Sequence, residues 1–412
     1  MNNFERYSTE FVQSVGNKEG AISPAITSSA SFGYGDAQTA EAIFDGSVKK
    51  PLYSRMGNPT TAKLETLMAE MDGGVGAIAT SSGMGAISLV VLSLLSAGDE
   101  VISIGGLFGG SYTLFSETLS RFGVKTHFFD GDALEAIENS VTDKSKIIFL
   151  ESVGNPNMRL PDIKAIADIA KKHGIALIVD NTVTPMSVEP LKLGADIVVY
   201  STTKIISGNA SALGGCAVFR AIDTTNDKFL TPRYLFLEKF IDRAGAMALI
   251  VNAKKRALRD LGMSANADAS YRTMLGLETL PLRLSRINES IEIVVNSLAA
   301  KGFKINHPSL PSHPHHTRYK TDFSQGCGML FTIDCSTKEK AYSFINRTKL
   351  ATITANIGDS RTLILHMAST IYRDFSADER AFLGITDGLI RVSIGLENPE
   401  DIIEDFLQAM ER

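Results

Sequence analysis

The chain has no tryptophan and only three cysteines in 412 residues. Cys216, Cys327 and Cys335 provide no disulfide framework and no Cys-x-x-Cys metal pair, so we expect a reducing compartment, the cytoplasm. Long apolar runs are also lacking. The most apolar window, about 86–97, is too short to span a bilayer and contains serines. It predicts a buried helix and gives no reason to expect a membrane partner.

A positive charge excess is absent as well, because the formal net charge is −5. This balance gives no electrostatic reason to expect nucleic acid or an anionic membrane as a partner. The first residues lack a basic segment followed by an apolar stretch, so no signal peptide is expected.

Short apolar runs alternate with helical patterns from about residue 60 onward. Pro59 suits the first turn of a helix, and the segment 161–173 places its isoleucines on one helical face. This alternation predicts an α/β fold with a mostly parallel sheet covered by helices on both sides. The runs that predict strands lie at 77–80, 101–104, 147–150, 176–179, 197–200 and 217–219.

The length predicts two domains and an arm. Residues 1–60 have little periodicity and read as an extended N-terminal arm. Residues 61–255 carry the alternating pattern. Residues 256–412, with a long helical stretch near 277–300 and strands near 329–333 and 389–394, predict a smaller α+β domain.

Polar groups follow two of the predicted strands. Asp180 ends the run 176–179, and Ser201, Thr203 and Lys204 follow the run 197–200. Ligands of open α/β sheets bind at the carboxyl ends of strands. An amine for a Schiff base, a carboxylate for a pyridine nitrogen and hydroxyls for a phosphate suit pyridoxal phosphate. Taken alone, a surface lysine and a helix-capping aspartate explain the same residues.

A glycine-rich loop, 81–85, joins a predicted strand to a predicted helix, where free backbone N–H groups favour an anion. Gly83 and Gly85 also form part of a dinucleotide fingerprint. The third glycine position is Ser88, however, and no acidic residue follows as expected. A nicotinamide dehydrogenase is therefore a weak alternative.

Several segments together resemble the cysteine/methionine-metabolism family of pyridoxal-phosphate enzymes, from about residue 20 to the C-terminus. The segments that carry the resemblance are Tyr53-Ser54-Arg55-Met56-Gly57-Asn58-Pro59-Thr60, Ser81 to Ile87, Glu151 to Pro156 and Ser201 to Lys204. The resemblance implies the large-domain/small-domain fold of aspartate-aminotransferase type, fold type I. It also implies pyridoxal 5'-phosphate as cofactor and a homotetramer of two tight dimers.

The resemblance further implies roles for individual residues. Lys204, Asp180 and Tyr53 correspond to catalytic residues of the family, with Tyr53 and Arg55 supplied to the active site of the neighbouring subunit. Arg391 and Asn356 correspond to substrate-binding residues. The residues that correspond to cofactor contacts are Lys204, Gly83, Met84, Phe108, Asn155, Asp180, Ser201, Thr203, Tyr53 and Arg55.

Phe108 departs from the family, which usually has a tyrosine credited with proton transfer to the leaving group. A thiolate leaving group, with a conjugate pKa of roughly 8.5, benefits from an acid, whereas acetate does not. We therefore expect an acylated homoserine as substrate, although Tyr112 or Tyr53 would also supply a proton. Whether the acyl group is acetyl or succinyl stays open.

Within the family the chain most resembles the O-acetylhomoserine sulfhydrylases. The expected reaction is γ-replacement on O-acetyl-L-homoserine by sulfide or a thiol, giving homocysteine or methionine plus acetate. A methionine or cystathionine γ-lyase, a cystathionine γ-synthase and a cofactor-binding protein without turnover are the alternatives. The sulfur donor stays open, and a sulfur-carrier protein is one candidate.

Three histidines lie close together at His313, His315 and His316. They stand in a proline-containing loop and have no cysteine or acidic partner at ligand spacing. We expect no metal site there.

Overall fold

The computed structural model describes residues 3–14 and 22–410. The strands are β1 Gly76–Thr80, β2 Glu100–Ile104, β3 Lys125–Phe129, β4 Ser145–Glu151, β5 Ala176–Asp180, β6 Ile197–Tyr200, β7 Gly215–Phe219, β8 Ile305–Asn306, β9 Leu330–Asp334, β10 Thr352–Ile353, β11 Leu363–His366 and β12 Leu389–Ser393.

The α-helices are α1 Asn3–Ser14, α2 Ala37–Asp45, α3 Pro59–Asp72, α4 Gly83–Leu94, α5 Gly109–Thr113, α6 Leu134–Asn139, α7 Ile163–Lys172, α8 Pro190–Leu193, α9 Glu238–Ala244, α10 Ala248–Ala253, α11 Arg259–Leu261, α12 Ala267–Ala300, α13 His316–Asp322, α14 Lys338–Arg347, α15 Ala377–Phe382 and α16 Pro399–Met410. Short 3₁₀ or π turns lie at Leu114–Thr118, Ser120–Phe122, Lys228–Leu230, Pro232–Leu237, Gly245–Met247 and Lys254–Leu258. Within the described ranges, no helix combines the length and the apolar character needed to cross a membrane.

The larger sheet has seven strands in the order β1-β7-β6-β5-β4-β2-β3. Its pairs are parallel except those of β7, which runs antiparallel to both β1 and β6. The six predicted runs each fall within one of these strands. The seventh, β3, lies at the edge and was missed, because its sequence Lys-Thr-His-Phe-Phe begins with polar residues that stay partly exposed.

The register of this sheet brings the sequence motifs to one edge. Glu151 at the end of β4 is the neighbour of Asp180 at the end of β5, and Asp180 pairs with Val199 of β6. Strand β1 points the same way as β6, because both are antiparallel to β7. The loop after β1 therefore meets the turns after β4, β5 and β6.

The smaller sheet has five strands in the order β10-β11-β12-β9-β8. The long helix α12 precedes it and begins at Ala267, ten residues before the predicted start, with the Asn266 side chain accepting from the Asp268 N–H as its cap. The two sheets fall on either side of residue 255, since β7 ends at Phe219 and β8 begins at Ile305. The exact domain boundaries stay a prediction.

The expectation of an extended arm is wrong over two segments, because α1 and α2 are helical. Phe4, Tyr7 and Phe11 recur at spacings of three and four residues, and all three are buried within the core cluster that includes α12. This helical spacing was present in the sequence. Residues 1–2 and 15–21 of the predicted arm lie outside the described residues.

Helix α3 begins where the sequence predicts. Pro59 is its first residue, and the Asn58 side chain accepts a hydrogen bond of 2.9 Å from the Thr60 N–H. This capping arrangement satisfies one of the free N–H groups at the helix start.

Candidate active site

A cavity of about 220 Å³ lies at the carboxyl ends of the large-sheet strands, between the two sheets. Most of the predicted site residues line it. The lining residues are Ser82, Gly83, Met84, Ile87, Phe108, Ser111, Glu151, Val153, Asn155, Asp180, Thr182, Val183, Ser201, Thr203, Lys204, Leu213, Ala355, Ile357 and Arg391.

Lys204 lies in the turn after β6, and its Nζ donates to the Asn356 Oδ1 at 2.7 Å. Burial, and then the nearby charge of Arg391, lowers the pKa of this amine to about 8. Asn356 reaches the lysine because its loop packs closely on the lysine turn. A Cβ at Gly358 would lie 2.5 Å from the backbone nitrogen of Ile205. The neutral amine is therefore accessible near physiological pH, as a nucleophile or base requires.

Two carboxyl groups adjoin at the ends of β4 and β5. Burial raises the pKa of Asp180 to about 6, while its Oδ1 accepts from the Thr182 N–H at 2.9 Å. Burial, and then the charge of Asp180, raises the pKa of Glu151 well above its usual range. Burial thus favours the neutral form of Glu151, while Asp180 is the carboxylate that a cationic partner in the cavity would stabilise.

The N-terminus of α4 opens into the same cavity. The Ser82 side chain caps the helix by accepting from the Gly85 N–H at 3.0 Å, which leaves the Gly83 and Met84 N–H groups at the first two positions. A Cβ at Gly83 would lie 2.6 Å from the Ser201 Cβ. The glycine-rich loop and the lysine turn therefore meet, as an anion site built from both requires.

The two predicted hydroxyls differ in availability. Thr203 Oγ donates to the Gly214 carbonyl at 3.1 Å and accepts from the Gly214 N–H at 2.9 Å. The Ser201 hydroxyl lies beside Gly83. Ser201 is thus the freer donor, and Thr203 would have to release the Gly214 carbonyl to donate to a phosphate.

Arg391 is only 2% exposed yet lines the cavity. Its guanidinium donates to the Asn155 Oδ1 at 3.1 Å and to the Ala355 carbonyl at 3.1 Å. Burial lowers its pKa to about 10. Within the described ranges Arg391 makes no ion pair with a carboxylate, so the cavity holds a buried cation that suits a carboxylate ligand.

Phe108 lines the cavity, and its backbone N–H donates to the Glu151 Oε1 at 2.7 Å. Tyr112 does not take its place. The Tyr112 ring stacks on Phe128 at 4.7 Å and also packs on Phe375, and burial raises the pKa of its hydroxyl to about 12. The compensation by Tyr112 considered from the sequence has no geometric support.

Tyr53, Arg55 and Asn356 are the predicted site residues that do not line this cavity, although the Asn356 side chain contacts Lys204. Tyr53 is 44% exposed. Arg55 donates to the Arg259 carbonyl and lies 5.8 Å from the Tyr53 ring centroid. The sequence placed Tyr53 and Arg55 in the site of a neighbouring subunit, and that role stays a prediction.

Three lining residues have roles that the sequence analysis did not assign. Ser82 caps α4, Glu151 holds the Phe108 N–H, and the Thr182 hydroxyl accepts from the Ser201 N–H at 2.8 Å. Each lies within four positions of an assigned residue: Gly83, Asn155 and Asp180, respectively. Their functions depend on contacts between strands, which a single sequence does not display.

The histidine loop lies where the two parts of the chain meet. His315 accepts from the Leu160 N–H through Nδ1 and contacts the Asp132 carboxylate through Nε2, each over less than 3 Å. Burial lowers the pKa of His313 to about 4. These contacts join β4–α7 and β3–α6 connections to the C-terminal part. Across the described part of the chain, no cluster of three or more metal-ligating side chains is found.

Known proteins resemble this chain along nearly its whole length. A profile of the Cys/Met metabolism PLP-dependent enzymes matches residues 8–411. The O-acetyl-L-homoserine sulfhydrylase of Leptospira meyeri is 34% identical over 399 residues, 92% of this chain and 90% of that protein. The L-methionine gamma-lyase of Pseudomonas putida is 33% identical over 395 residues, 95% of this chain and 93% of that protein.

A crystal structure from Campylobacter jejuni matches the fold with a TM-score of 0.92, at 33% identity and over 100% of both chains. That protein carries the assignment O-acetylhomoserine (thiol)-lyase and contains N'-pyridoxyl-lysine-5'-monophosphate. The predicted fold type I architecture is confirmed.

The cavity fits pyridoxal phosphate on grounds of its own. A buried amine of lowered pKa, a buried carboxyl of raised pKa and the start of α4 surround one space. These groups match an aldehyde, a pyridine nitrogen and a phosphate in turn. The predicted cofactor is confirmed, and the chain belongs to the Cys/Met metabolism family of PLP-dependent enzymes.

Proposed function

We propose that the protein catalyses γ-replacement on O-acetyl-L-homoserine, with sulfide or a small thiol as the second substrate. The products are homocysteine or methionine, plus acetate. The observation that carries this choice is Phe108, which puts a ring without a hydroxyl at the cavity wall while Tyr112 packs elsewhere. Several relatives carry sulfhydrylase or homocysteine synthase names, which supports the same choice.

Arg391 binds the substrate carboxylate. Its buried guanidinium has neutral partners in Asn155 and the Ala355 carbonyl, so a carboxylate gains a charge-assisted pair without displacing another anion. Fixing the carboxylate here orients the Cα–H bond toward the lysine turn. Asn356, which bonds both this region and Lys204, links the two.

Pyridoxal phosphate, when bound, supplies an electron-withdrawing ring that acidifies the proton on Cα. Lys204 accepts that proton through its neutral Nζ, because its lowered pKa of about 8 leaves part of the amine unprotonated near neutral pH. Asp180 holds the ring nitrogen. Loss of a second proton, from Cβ, accompanies departure of acetate from Cγ. The sulfur nucleophile, as its anion, then forms the new bond at Cγ, and protons return to Cβ and to Cα.

Acetate leaves without an acid, because it is the anion of a carboxylic acid with a pKa of roughly 4, whereas a thiol pKa is roughly 8.5. A γ-lyase must expel a thiolate, for which a hydroxyl acid is valuable. A γ-lyase is the second candidate, because the Pseudomonas putida gamma-lyase is about as similar in sequence to this chain as the sulfhydrylases are. Overall identity therefore does not separate the two reactions.

The proposal extends to assembly and location. A homotetramer of two dimers, with Tyr53 and Arg55 reaching the partner's cavity, agrees with their exposed position outside their own cavity. The sulfur donor in the cell is either free sulfide, a small thiol or a sulfur-carrier protein. The composition agrees with a cytoplasmic enzyme that acts on small molecules and has no membrane partner.

A steady-state assay of the holoenzyme with O-acetylhomoserine, with and without sulfide, tests the proposal. Homocysteine that forms only with sulfide establishes the replacement reaction. Rapid release of 2-oxobutyrate and ammonia without sulfide would identify a lyase. Lys204→Ala is the matched control and should remove either activity while the fold is retained.

A further inference from the structure

A chain of polar side chains lies close to the cavity, because most of its members are next to lining residues in the sequence while none is a lining residue itself. None of its members is more than 3% exposed. Consecutive members are hydrogen-bonded, at 2.7, 2.7, 3.1 and 2.7 Å in chain order. The members, in order, are Ser152, Thr184, Asn181, Tyr200 and Asp72. We refer to them as the buried polar chain.

The direction of these hydrogen bonds is fixed by their surroundings. The Asn181 amide nitrogen faces the Val188 carbonyl, which only accepts, so the amide oxygen must face Thr184. Thr184 then donates to Asn181 and must accept from Ser152.

At the other end of the buried polar chain, Asn181 donates to the Tyr200 hydroxyl, which donates to the Asp72 Oδ1. Every bond therefore points the same way and ends on a carboxyl group. Hydrogen bonds aligned in this way polarise one another, and in a buried setting they favour one rigid arrangement.

Four members are sequence neighbours of cavity residues, and Thr184, which follows Val183, is one of them. Ser152 follows Glu151, Asn181 follows Asp180, and Tyr200 precedes Ser201. Each of these pairs at a strand end consists of the last residue of the strand and the residue after it, so fixing one neighbour restricts the backbone that orients the other. The buried polar chain thus ties together the ends of β4, β5 and β6, and Asp72 anchors it to the end of α3.

We propose that Tyr200 and Asp72 are positioning residues of the pyridoxal phosphate site. Through Asn181 they hold the Asp180 carboxyl and the Ser201–Lys204 turn at the separation that the cofactor ring and phosphate require. Neither residue lines the cavity. The inference depends on the cofactor of the family and not on the identity of the substrate, so it is independent of the proposed γ-replacement.

The Tyr200 hydroxyl accepts a hydrogen bond from Asn181 and donates one to Asp72, so its removal breaks two bonds of the buried polar chain. Without it, one Asn181 N–H loses its acceptor and Asp72 loses its one described donor, since the Asp72 Oδ2 has no partner. Buried groups left unpaired relax toward other partners. For Asn181 such relaxation moves the turn that carries Asp180.

Titration of the purified apoenzyme with pyridoxal phosphate tests the proposal. We expect Tyr200→Phe to raise the dissociation constant about tenfold, the effect of one lost buried hydrogen bond. The visible circular dichroism of the saturated holoenzyme should change as well, because the ring is held in a different orientation. Asp72→Asn keeps an acceptor for Tyr200 and should stay within about threefold of the wild-type constant.

Tyr319→Phe is the matched control. It removes a tyrosine hydroxyl that donates to the Glu292 carboxylate, in the C-terminal part of the chain. Its thermal midpoint should fall while its cofactor affinity and dichroism stay at the wild-type values. Thr184→Val, which breaks the buried polar chain at another link, should weaken binding in the same direction as Tyr200→Phe.

The proposal is overturned if Tyr200→Phe and Thr184→Val lower the thermal midpoint but bind pyridoxal phosphate as the wild type does. That result would give the buried polar chain a purely structural role. Loss of affinity in Asp72→Asn as large as in Tyr200→Phe would also overturn it, because the retained acceptor should preserve the geometry.

Discussion

At the residue scale, Lys204, Asp180 and Arg391 surround one cavity, and burial shifts the pKa of each toward its neutral form. Each group is therefore better stabilised once a partner of opposite charge or a covalent partner is bound. Arg391, Asp180 and Lys204 are therefore suited to bind a carboxylate, a pyridine ring and an aldehyde, respectively. Phe108 differs from these three residues, because its effect on the reaction comes from the absence of a hydroxyl group that could protonate a leaving group.

Phe108→Tyr should raise the rate of γ-elimination from methionine or homocysteine by a factor on the order of 100 to 10,000, the range of a positioned general acid. Turnover of O-acetylhomoserine should change little, since acetate needs no acid. Release of 2-oxobutyrate measures the elimination rate, and formation of homocysteine in the presence of sulfide measures the turnover of O-acetylhomoserine. Phe122→Tyr, at an exposed position, is the control. An unchanged elimination rate in Phe108→Tyr would remove the argument from leaving-group chemistry.

The raised pKa of Asp180 predicts that the stability of the apoenzyme depends on pH. Its folded pKa of about 6 lies above the ordinary value of 3.8, so the folded protein binds more protons between these two values. This contribution to stability is therefore complete below about pH 4 and is lost as the pH rises through about 6. Thermal midpoints of wild-type and Asp180→Asn apoenzyme over this window measure it.

The difference between these two midpoints should grow in favour of Asp180→Asn as the pH rises. A difference that stays constant over the window would show that Asp180 does not titrate there. Asp72, whose pKa burial raises to about 7, is present in both proteins and cancels in the comparison.

At the element scale, the start of α4 and the lysine turn after β6 must touch. Gly83 permits this, because any side chain there would overlap Ser201. The same argument applies at Gly358, where the Asn356 loop closes on Ile205. Close approach of backbones is thus what assembles an anion site from two separate motifs.

Gly83→Ala should weaken pyridoxal phosphate binding by about 1–3 kcal/mol, the usual cost of an overpacked contact. The added methyl group would lie 2.6 Å from the Ser201 Cβ, so the loop and the turn must separate. Spectroscopic titration of the apoenzyme measures the loss. Gly33→Ala, with no atom within 4 Å of the added carbon, is the control. Equal affinities of the two variants would contradict the close-contact argument.

At the scale of the whole molecule, a shared active site is open to a complementation experiment. Lys204→Ala removes the amine of its own cavity, whereas Arg55→Ala should remove a phosphate contact from the partner's cavity. In a mixed dimer one site then carries both substitutions and the other carries neither. Random mixing by co-expression should restore about a quarter of the wild-type activity.

If the activity of the co-expressed mixture does not exceed the summed activities of the two single variants, Arg55 acts in the active site of its own subunit. Size-exclusion chromatography of each variant is needed beside the assay, because loss of assembly alone would also prevent complementation. Arg243→Ala is a useful control. That residue contacts the Asp45 carbonyl and lies outside the cavity lining.

The fold class, six of the seven large-sheet strands and nine of the residues that line the cavity were predicted from the sequence, whereas the roles of those residues stay predictions. Apolar runs report burial directly, and a catalytic amine such as Lys204 is chemically distinctive. The helical nature of α1 was missed although Phe4, Tyr7 and Phe11 carried the signal. Strand β3 was missed because an edge strand need not be apolar.

The sequence by itself determined which chemical groups this protein offers: an amine, a carboxyl, an anion-binding loop and an arginine, each tied to a local motif. Tertiary structure alone decided which of them meet, since Arg391 and Lys204 lie on different sheets and Tyr112 turns away from the cavity. It also decided the pKa of each group. How far these polar groups are buried depends on the packing of distant segments, which no local pattern of residues encodes.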